Sequence, residues 1–309
     1  MERWGEKRYH SLDYALRSQF GEKVYKIALN GGMTCPNRDG TIGDRGCIFC
    51  SPMGSGDFAG SSADSISAQL KRGKSDLSTK RPIHSYIAYF QAFTNTYGSI
   101  SHLEKIYLEA VSDPEVKVLS IATRPDCLGP EVLALLSKIQ KIKPVWIELG
   151  LQTIHEKTAK EIRRGYPLSV FEQAVQNLHA RQIPVIVHTI LYLPGETPEM
   201  MLQTIDYLNH CPIQGIKLQL LHVLKGTDLA IQYQQHPFHI PEQDEYIRMV
   251  GSCLSHLRPD IVIHRVTGDG PSDLMIAPLW SQKKRTVLNE LHAYLKSQDI
   301  WQGKEYSNL

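Results

Sequence analysis

Short apolar runs alternate with amphipathic segments up to about residue 235. The apolar runs are rich in Val, Ile and Leu and predict six strands, at residues 23–29, 84–90, 117–122, 145–151, 185–191 and 216–224. The amphipathic segments predict helices at residues 61–74, 101–113, 130–142, 156–164, 169–181 and 197–209. Strands that alternate with helices in this way predict βαβ units and a parallel sheet, either open and doubly wound or curved into most of a barrel.

The pattern changes beyond about residue 235. Proline-containing loops interrupt it, and the remaining predicted elements are a helix, a short strand and a final helix, at residues 243–257, 261–266 and 283–297. We interpret residues 1–235 as a core barrel with an N-terminal lead-in. Residues 236–309 are expected to form a C-terminal α/β extension that packs on the barrel rather than a separate domain.

Composition narrows the class of protein. The 309 residues are 42% apolar and 21% charged, which is typical of a soluble enzyme and excludes a disordered chain. A net charge of +2 excludes a histone-like polycation but allows a local basic patch that binds an acidic partner. No apolar run approaches the roughly 18 residues of a membrane span, and the N-terminus is too polar for a signal peptide. We therefore expect a cytoplasmic protein without a membrane partner.

Three of the six cysteines form a compact motif, C-x11-C-x2-C, at Cys35, Cys47 and Cys50. The short gap lets two thiolates reach one metal centre, and a glycine-rich loop brings in the third. One alternative is a zinc site completed by a histidine such as His10 or His84. The others are a redox C-x-x-C pair and an iron–sulfur cluster with three protein ligands and one open iron. The redox pair is disfavoured because the motif leads into a loop and not a helix, whereas spacing alone does not separate zinc from iron–sulfur.

Five further motifs lie at or just beyond predicted strand ends. They are QAFTNTY at residues 91–97, TRPD at 123–126, ELGLQ at 148–152, HTILYLPGE at 188–196 and HVLKGT at 222–227. In βα barrels the catalytic groups collect at the carboxyl ends of the strands. A structural zinc site needs no such set of polar motifs, so their position favours an enzyme with a cluster.

The cysteine motif, with Phe49 before its last cysteine, resembles that of the radical S-adenosylmethionine (SAM) superfamily. TRPD, ELGLQ, LPGE and LKGT are similar to motifs of its Elongator-like branch, and RxTGDGPxDxxxAPxW at residues 265–280 resembles the bacterial stand-alone YhcC/YtqA (MnmL) group. The resemblance implies a partial (β/α)6 TIM-type barrel with a C-terminal α/β extension. It also implies a [4Fe–4S] cluster on Cys35, Cys47 and Cys50, and SAM cleavage to a 5′-deoxyadenosyl radical.

The resemblance further assigns roles to residues that bind SAM. Gln152 is placed at the SAM ribose, Arg164 at the SAM carboxylate, and His188 near the ribose. The usual Gly-Gly-Glu that receives the SAM amino group is replaced here by QAFTN, where backbone carbonyls with Asn95 or Thr94 take its place.

Two other positions stand out beside these motifs. Ala122 stands where Elongator-like relatives have Glu. Cys127, directly after TRPD, is a candidate hydrogen donor, with a buried structural thiol as the alternative.

The same resemblance implies a tRNA substrate. Its members convert the 5-carboxymethylaminomethyl group of wobble uridine to 5-aminomethyl, which a partner tRNA methyltransferase can then methylate. An electron donor such as flavodoxin or ferredoxin is implied as well. Basic clusters at residues 71–74, 80–81 and 283–285 are candidate contacts to tRNA if they share one rim. The alternatives are radical chemistry on a small metabolite or protein, and a non-catalytic zinc-stabilised binding protein.

Overall fold

The computed structural model of the chain describes residues 4–78 and 84–307. Its strands are β1 (Tyr25–Leu29), β2 (Tyr86–Phe90), β3 (Val116–Thr123), β4 (Val145–Gln152), β5 (Val185–Leu191), β6 (Gly215–Leu220), β7 (Val223–Leu224), β8 (Val262–Arg265) and β9 (Met275–Ala277). Seven of them form one parallel sheet in the order β1-β2-β3-β4-β5-β6-β8, and β7 pairs with β9 in a separate antiparallel sheet. The large sheet is curved into a half-barrel, and the predicted partial TIM-type barrel is confirmed.

The described residues form ten α-helices, most of which pack on the outer face of this sheet. They are α1 (Leu12–Phe20), α2 (Ile66–Ser78), α3 (Ile100–Ser112), α4 (Pro130–Gln140), α5 (Glu156–Glu161), α6 (Leu168–His179), α7 (Pro198–Asn209), α8 (Asp228–Gln235), α9 (Gln243–His256) and α10 (Lys284–Ser297). Each strand sends alternate apolar side chains outward to them, as Ile147, Leu149 and Leu151 do from β4. No helix in the described residues is long and apolar enough to cross a membrane.

Several elements differ from the sequence prediction. The strand predicted at residues 261–266 joins the main sheet as β8, parallel to β6, because its partner strand has a free edge. The strand predicted at residues 216–224 breaks after Leu220, so its last two residues pair with β9 instead. Helices α1 and α8 were not predicted, since both are short, at nine and eight residues.

Helix α1 fills the amino end of the half-barrel. The Ser11 side chain caps it by accepting the Tyr14 N–H, and Ser11 also forms a parallel bridge with Ile263 of β8. Leu16 is buried against Val24 and Ile87 inside the barrel. The amino end is therefore closed by apolar packing, and the interior is accessible from the carboxyl ends of the strands.

Candidate active site

The three cysteines of the motif share one cavity at the carboxyl ends of the strands. Cys35 lies in the loop after β1, where its carbonyl accepts the N–H of Arg38 at 2.7 Å. Cys47 and Cys50 are joined by a turn in which the Cys50 N–H donates to the Cys47 carbonyl at 3.0 Å. All three side chains line a cavity of about 180 Å³. The loop thus brings together thiols that lie up to 15 positions apart in the sequence.

Two residues within the motif hold this loop in place. The side-chain amide of Asn37 donates to the Arg163 carbonyl at 2.8 Å and lies 3.6 Å from the Cys47 sulfur. The Arg38 guanidinium donates to the carbonyls of Cys50 and Ser51 at 3.1 and 2.7 Å. Gly46 has φ +75°, and a Cβ there would lie 2.8 Å from Arg38 Nε. Sequence reasoning missed these two residues, although both lie within the CPNRDG segment.

The environment of the thiols sets the cost of deprotonating them. Burial raises the pKa of Cys47 to about 12, and the neighbouring thiols of Cys50 and Cys35 add to this. Burial also raises the pKa of Cys50. Arg124 opposes the shift at Cys47 and Arg38 opposes it at Cys50. Since metal ligation needs thiolates, these two arginines favour the form that binds metal.

The structure does not form the zinc site considered above. His10 stacks on Trp4, and His84 Nδ1 lies 3.1 Å from Glu115 before the amino end of β2, so neither histidine lines the cysteine cavity. Within residues 4–78 and 84–307, no group of three or more His, Cys, Asp or Glu side chains is arranged to hold one metal ion. The three thiols share one cavity, and neither histidine is part of its lining.

Gln152 lies beside the cysteines at an irregular end of β4. The strand register shifts between Gly150 and Gln152, and Gln152 has φ +64°, a rare conformation for a residue with a side chain. The side chain lines the cavity, and its Oε1 accepts a weak hydrogen bond of 3.4 Å from Tyr166. A Cβ on Gly150 would lie 2.9 Å from Gln152 Nε2. The bulge and this glycine together direct the Gln152 amide into the cavity.

His188 also lines the cavity, and its Nε2 lies 2.8 Å from Glu148 Oε2. Burial lowers the pKa of His188 to about 4, and Lys217 lowers it further. The imidazole is therefore neutral at pH 7 and donates Nε2–H to the carboxylate. Its Nδ1 is left as an acceptor for a ligand donor.

Glu148 lies at the centre of a buried polar layer inside the barrel. Its side chain is fully buried and accepts hydrogen bonds from Lys26 at 2.6 Å, Ser120 at 2.8 Å, His188 and Lys217. Burial alone would raise the pKa of the Glu148 carboxyl, but Lys217, Lys26 and the hydrogen bond from His188 hold it well below its usual range. Lys217 also contacts the Tyr89 hydroxyl at 3.1 Å. Sequence reasoning missed this layer, although polar residues at inward-facing strand positions were a signal for it.

Lys217→Met is expected to change how stability depends on pH. Burial lowers the pKa of Lys217 to about 7, with help from Lys26 and Arg265 and against Glu148, whereas an unfolded lysine has a pKa of about 10.4. Between these values the unfolded chain binds more protons, so the free energy of unfolding of the wild type rises with pH relative to that of the variant. Urea unfolding of both proteins from about pH 7 to about pH 10 measures this difference. A difference that stays constant or changes in the opposite direction would contradict the assignment.

Arg164 has a different environment from the one expected. Its side chain is 1% exposed and donates to the carbonyls of Tyr166, Leu151 and Thr153 at 3.0, 3.2 and 2.7 Å. Its remaining nitrogen lies 3.4 Å from Glu156. The guanidinium donors are thus used within the protein, but Arg164 also lines the cysteine cavity, and its pairing with the SAM carboxylate stays a prediction.

Asn95 and Cys127 lie outside the cavity wall. Asn95 is fully buried, and its amide donates to the carbonyls of Phe90 and Ala122 at 3.2 and 2.9 Å, so it braces the backbone and is not placed to contact SAM. Cys127 lies in a 3-10 turn with its sulfur 3.8 Å from Asp126, and it does not line the cavity as a hydrogen donor must. From the QAFTN segment, Gln91, Phe93 and Thr94 line the cavity.

Comparison with known proteins supports one family. A profile described as the Radical SAM superfamily matches residues 38–208, and one described as the Radical_SAM C-terminal domain matches residues 213–297. YtqA of Bacillus subtilis (strain 168) is 43% identical over 98% of this chain and 94% of its own length. Protein YhcC of Escherichia coli (strain K12) is 35% identical over 92% of this chain and 91% of its own length.

More distant matches are larger proteins. The tRNA uridine(34) acetyltransferase of Methanocaldococcus jannaschii is 23% identical over 66% of this chain and 37% of its own length. The solved structure of the archaeal Methanocaldococcus infernus Elp3 has a TM-score of 0.69 at 17% identity, covering 90% of this chain and 64% of that chain. The chain thus spans less than two thirds of these two proteins, and the structural match shows a shared fold.

A half-barrel with three thiols in one cavity at its carboxyl rim is typical of enzymes that hold a metal cluster at the barrel mouth. The chain belongs to the radical SAM superfamily, as its motifs predicted, and within it to the group of YtqA and YhcC. Its cofactors are accordingly a [4Fe–4S] cluster and SAM. The donor set fits this cluster, since three thiols share one cavity and none of the other three cysteines lines it.

Proposed function

We propose that this enzyme modifies the wobble uridine of tRNA by converting its 5-carboxymethylaminomethyl group to 5-aminomethyl. The main support for this proposal is a positively charged cavity next to the cysteine cavity. This second cavity has a volume of about 360 Å³, and its lining includes Lys26, Lys217, Arg265 and Lys284. An anionic substrate group is stabilised by such a lining next to the cofactors. Relatives named for an activity on tRNA uridine 34 support the same substrate class.

In this proposal the chain holds its cofactors through residues of the cysteine cavity. The cluster is ligated by Cys35, Cys47 and Cys50. Gln152 contacts the SAM ribose through its side-chain amide. His188 accepts a hydrogen bond from a ribose hydroxyl at Nδ1. When bound, the two cofactors supply a 5′-deoxyadenosyl radical that abstracts hydrogen from the substrate.

The three basic clusters differ in how well they are placed to contact tRNA. Lys284, from the cluster at residues 283–285, lines the second cavity, where it pairs with Asp269 at 2.6 Å. In the cluster at residues 71–74, Arg72 pairs with Asp64 at 3.0 Å, and Lys74 pairs with two carboxylates at 2.6 and 2.7 Å. The cluster at residues 80–81 lies outside the described residues. We infer that tRNA approaches from the side of the C-terminal extension.

The proposal is tested by the modified nucleosides of cells that lack the gene. Their tRNA is expected to accumulate 5-carboxymethylaminomethyl uridine and to lose 5-aminomethyl uridine and its methylated product. Complementation with the wild-type gene should restore the pattern, whereas a Cys47→Ala gene should not. An unchanged 5-aminomethyl pool would contradict the proposal. Failure of tRNA from the deletion strain to stimulate SAM cleavage by the purified enzyme would favour a small metabolite or protein as substrate.

A further inference from the structure

The cavity beside the cysteines lies where the half-barrel is open. Strands β1 and β8 are the two edges of the sheet and do not pair with each other. The cavity between them is lined by Lys26 of β1, Arg265 of β8 and residues of the loop that follows β8. It shares Tyr89, Gln91, Lys217 and Arg265 with the cysteine cavity. A group bound here is therefore adjacent to the cofactors without occupying their site.

The charged groups around this cavity are unbalanced. Four cations line it, namely Lys26, Lys217, Arg265 and Lys284. Two carboxylates face these cations, and each of them serves two. Glu148 pairs with Lys26 at 2.6 Å and with Lys217. Asp269 pairs with Arg265 at 3.0 Å and with Lys284 at 2.6 Å. Of the four, Lys217 is buried and shares its carboxylate with Lys26. Because a buried cation without a full counter-charge is costly, an anion beside Lys217 would be stabilised.

Lys217 is the most deeply placed of these cations. Its side chain is 4% exposed, and an ammonium has three donors. Among the described residues, the hydrogen-bond partners of its Nζ are Glu148 and the Tyr89 hydroxyl. One donor is thus available to a ligand oxygen. The ammonium of Lys217 also lies 4.7 Å from the centre of the Tyr89 ring, which fixes its position in the shared wall of the two cavities.

We propose that this cavity is the binding site for a carboxylate on the substrate, with Lys217 and Arg265 as its partners. The inference rests on the proposed function and makes it specific, since a 5-carboxymethylaminomethyl group ends in a carboxylate. Binding at Lys217 holds the adjacent CH2 near the cysteine cavity. Backbone phosphates are the other anions of tRNA, but Lys217 lies inside the barrel, where a group carried by an extruded base can reach and the duplex backbone does not.

Three anticodon stem-loop RNAs of identical sequence test this site. The first carries 5-carboxymethylaminomethyl uridine at the wobble position, the second carries its methyl ester, and the third carries unmodified uridine. Dissociation constants are measured by fluorescence anisotropy with the anaerobic holoenzyme at about pH 6, below the pKa of about 7 of Lys217, so that its ammonium form predominates. The wild type is expected to bind the acid about tenfold more tightly than the ester, as a charge-assisted hydrogen bond implies. Lys217→Met is expected to lose this preference while its affinity for the ester stays within about twofold.

Lys225→Met is the matched control. Lys225 is exposed, lies on the same side of the molecule and donates to the Asp273 carbonyl at 3.0 Å, but it does not line the cavity. The control should retain the preference for the acid. Should Lys217→Met fail to fold, Arg265→Gln and the acid-to-ester ratio of the wild type decide the question.

The possible outcomes separate the two proposals. An equal affinity of the wild type for acid and ester overturns the carboxylate site. Equal weakening of all three RNAs in Lys217→Met also overturns it, because that result indicates a backbone phosphate contact. If the wild type binds none of the stem-loops more tightly than a hairpin of scrambled sequence, the proposed function fails and the site fails with it.

Discussion

Cys47→Ala, purified without oxygen, is expected to lose its cluster iron and its ability to cleave SAM. The three thiols line one cavity and supply all of the protein ligands in the proposal, so removal of one leaves too few to hold the cluster. We expect 5′-deoxyadenosine formation to fall by more than about a hundredfold, since even the loss of residues that only orient a metal ligand costs about 10–100-fold. The measurement is iron and sulfide content together with chromatographic detection of 5′-deoxyadenosine.

Cys211→Ala is the control for this prediction. The Cys211 thiol is partly buried and lies 3.6 Å from the Tyr207 carbonyl, and it does not line the cysteine cavity. This variant should retain iron and activity. If Cys47→Ala kept a full cluster, or if both variants lost iron to the same extent, the assignment of the ligands would be wrong.

Glu148→Gln is expected to lower the free energy of unfolding by about 3 kcal/mol, the cost of removing one partner from a buried ion pair. Four donors converge on the Glu148 carboxylate, from Lys26, Ser120, His188 and Lys217. Glutamine has one acceptor oxygen and places an amide donor against the remaining groups. Urea unfolding of the two proteins in the same cluster state measures the loss.

The double variant Glu148→Gln/Lys217→Met identifies the cause of that loss. Without Lys217 the uncompensated buried charge is smaller, so the double variant should be more stable than the sum of the two single effects predicts. Strictly additive effects of the two substitutions would contradict this explanation.

The buried ion pairs of Glu148 also make stability depend on pH. Because the pKa of Glu148 is lowered in the folded protein, its contribution to the free energy of unfolding is present above the unfolded value of about 4.3 and is lost as the pH falls below it.

The local part of the site was predictable from sequence. The cysteine motif lies within 16 consecutive residues, and its glycines and short gap encode a loop that brings the three thiols to one cavity. The rim motifs were predictable because parallel strands place their carboxyl ends at one edge. Gln152 and His188 were accordingly expected in the cavity, and both line it.

Other parts depended on tertiary contacts that sequence does not show. Arg164 follows a short helix, and its guanidinium turns inward because carbonyls at the end of β4 and just beyond it, of Leu151 and Thr153, lie within its reach in the fold. The pairing of β8 with β6 depends on which sheet edge is free after the sixth strand. The partners of Lys217 come from β2 and β4. Its buried environment therefore depends on the curvature of the whole sheet and not on the segment GIKLQL alone.

The central claim is that Cys35, Cys47 and Cys50 hold a cluster with one iron open to SAM. The most direct measurement is the electron paramagnetic resonance spectrum of the reduced, anaerobically purified protein before and after SAM is added, together with its iron content. For such a cluster we expect about four irons per chain and a spectrum that changes when SAM binds. A protein that carries a single zinc, or a cluster whose spectrum SAM leaves unchanged, would contradict it.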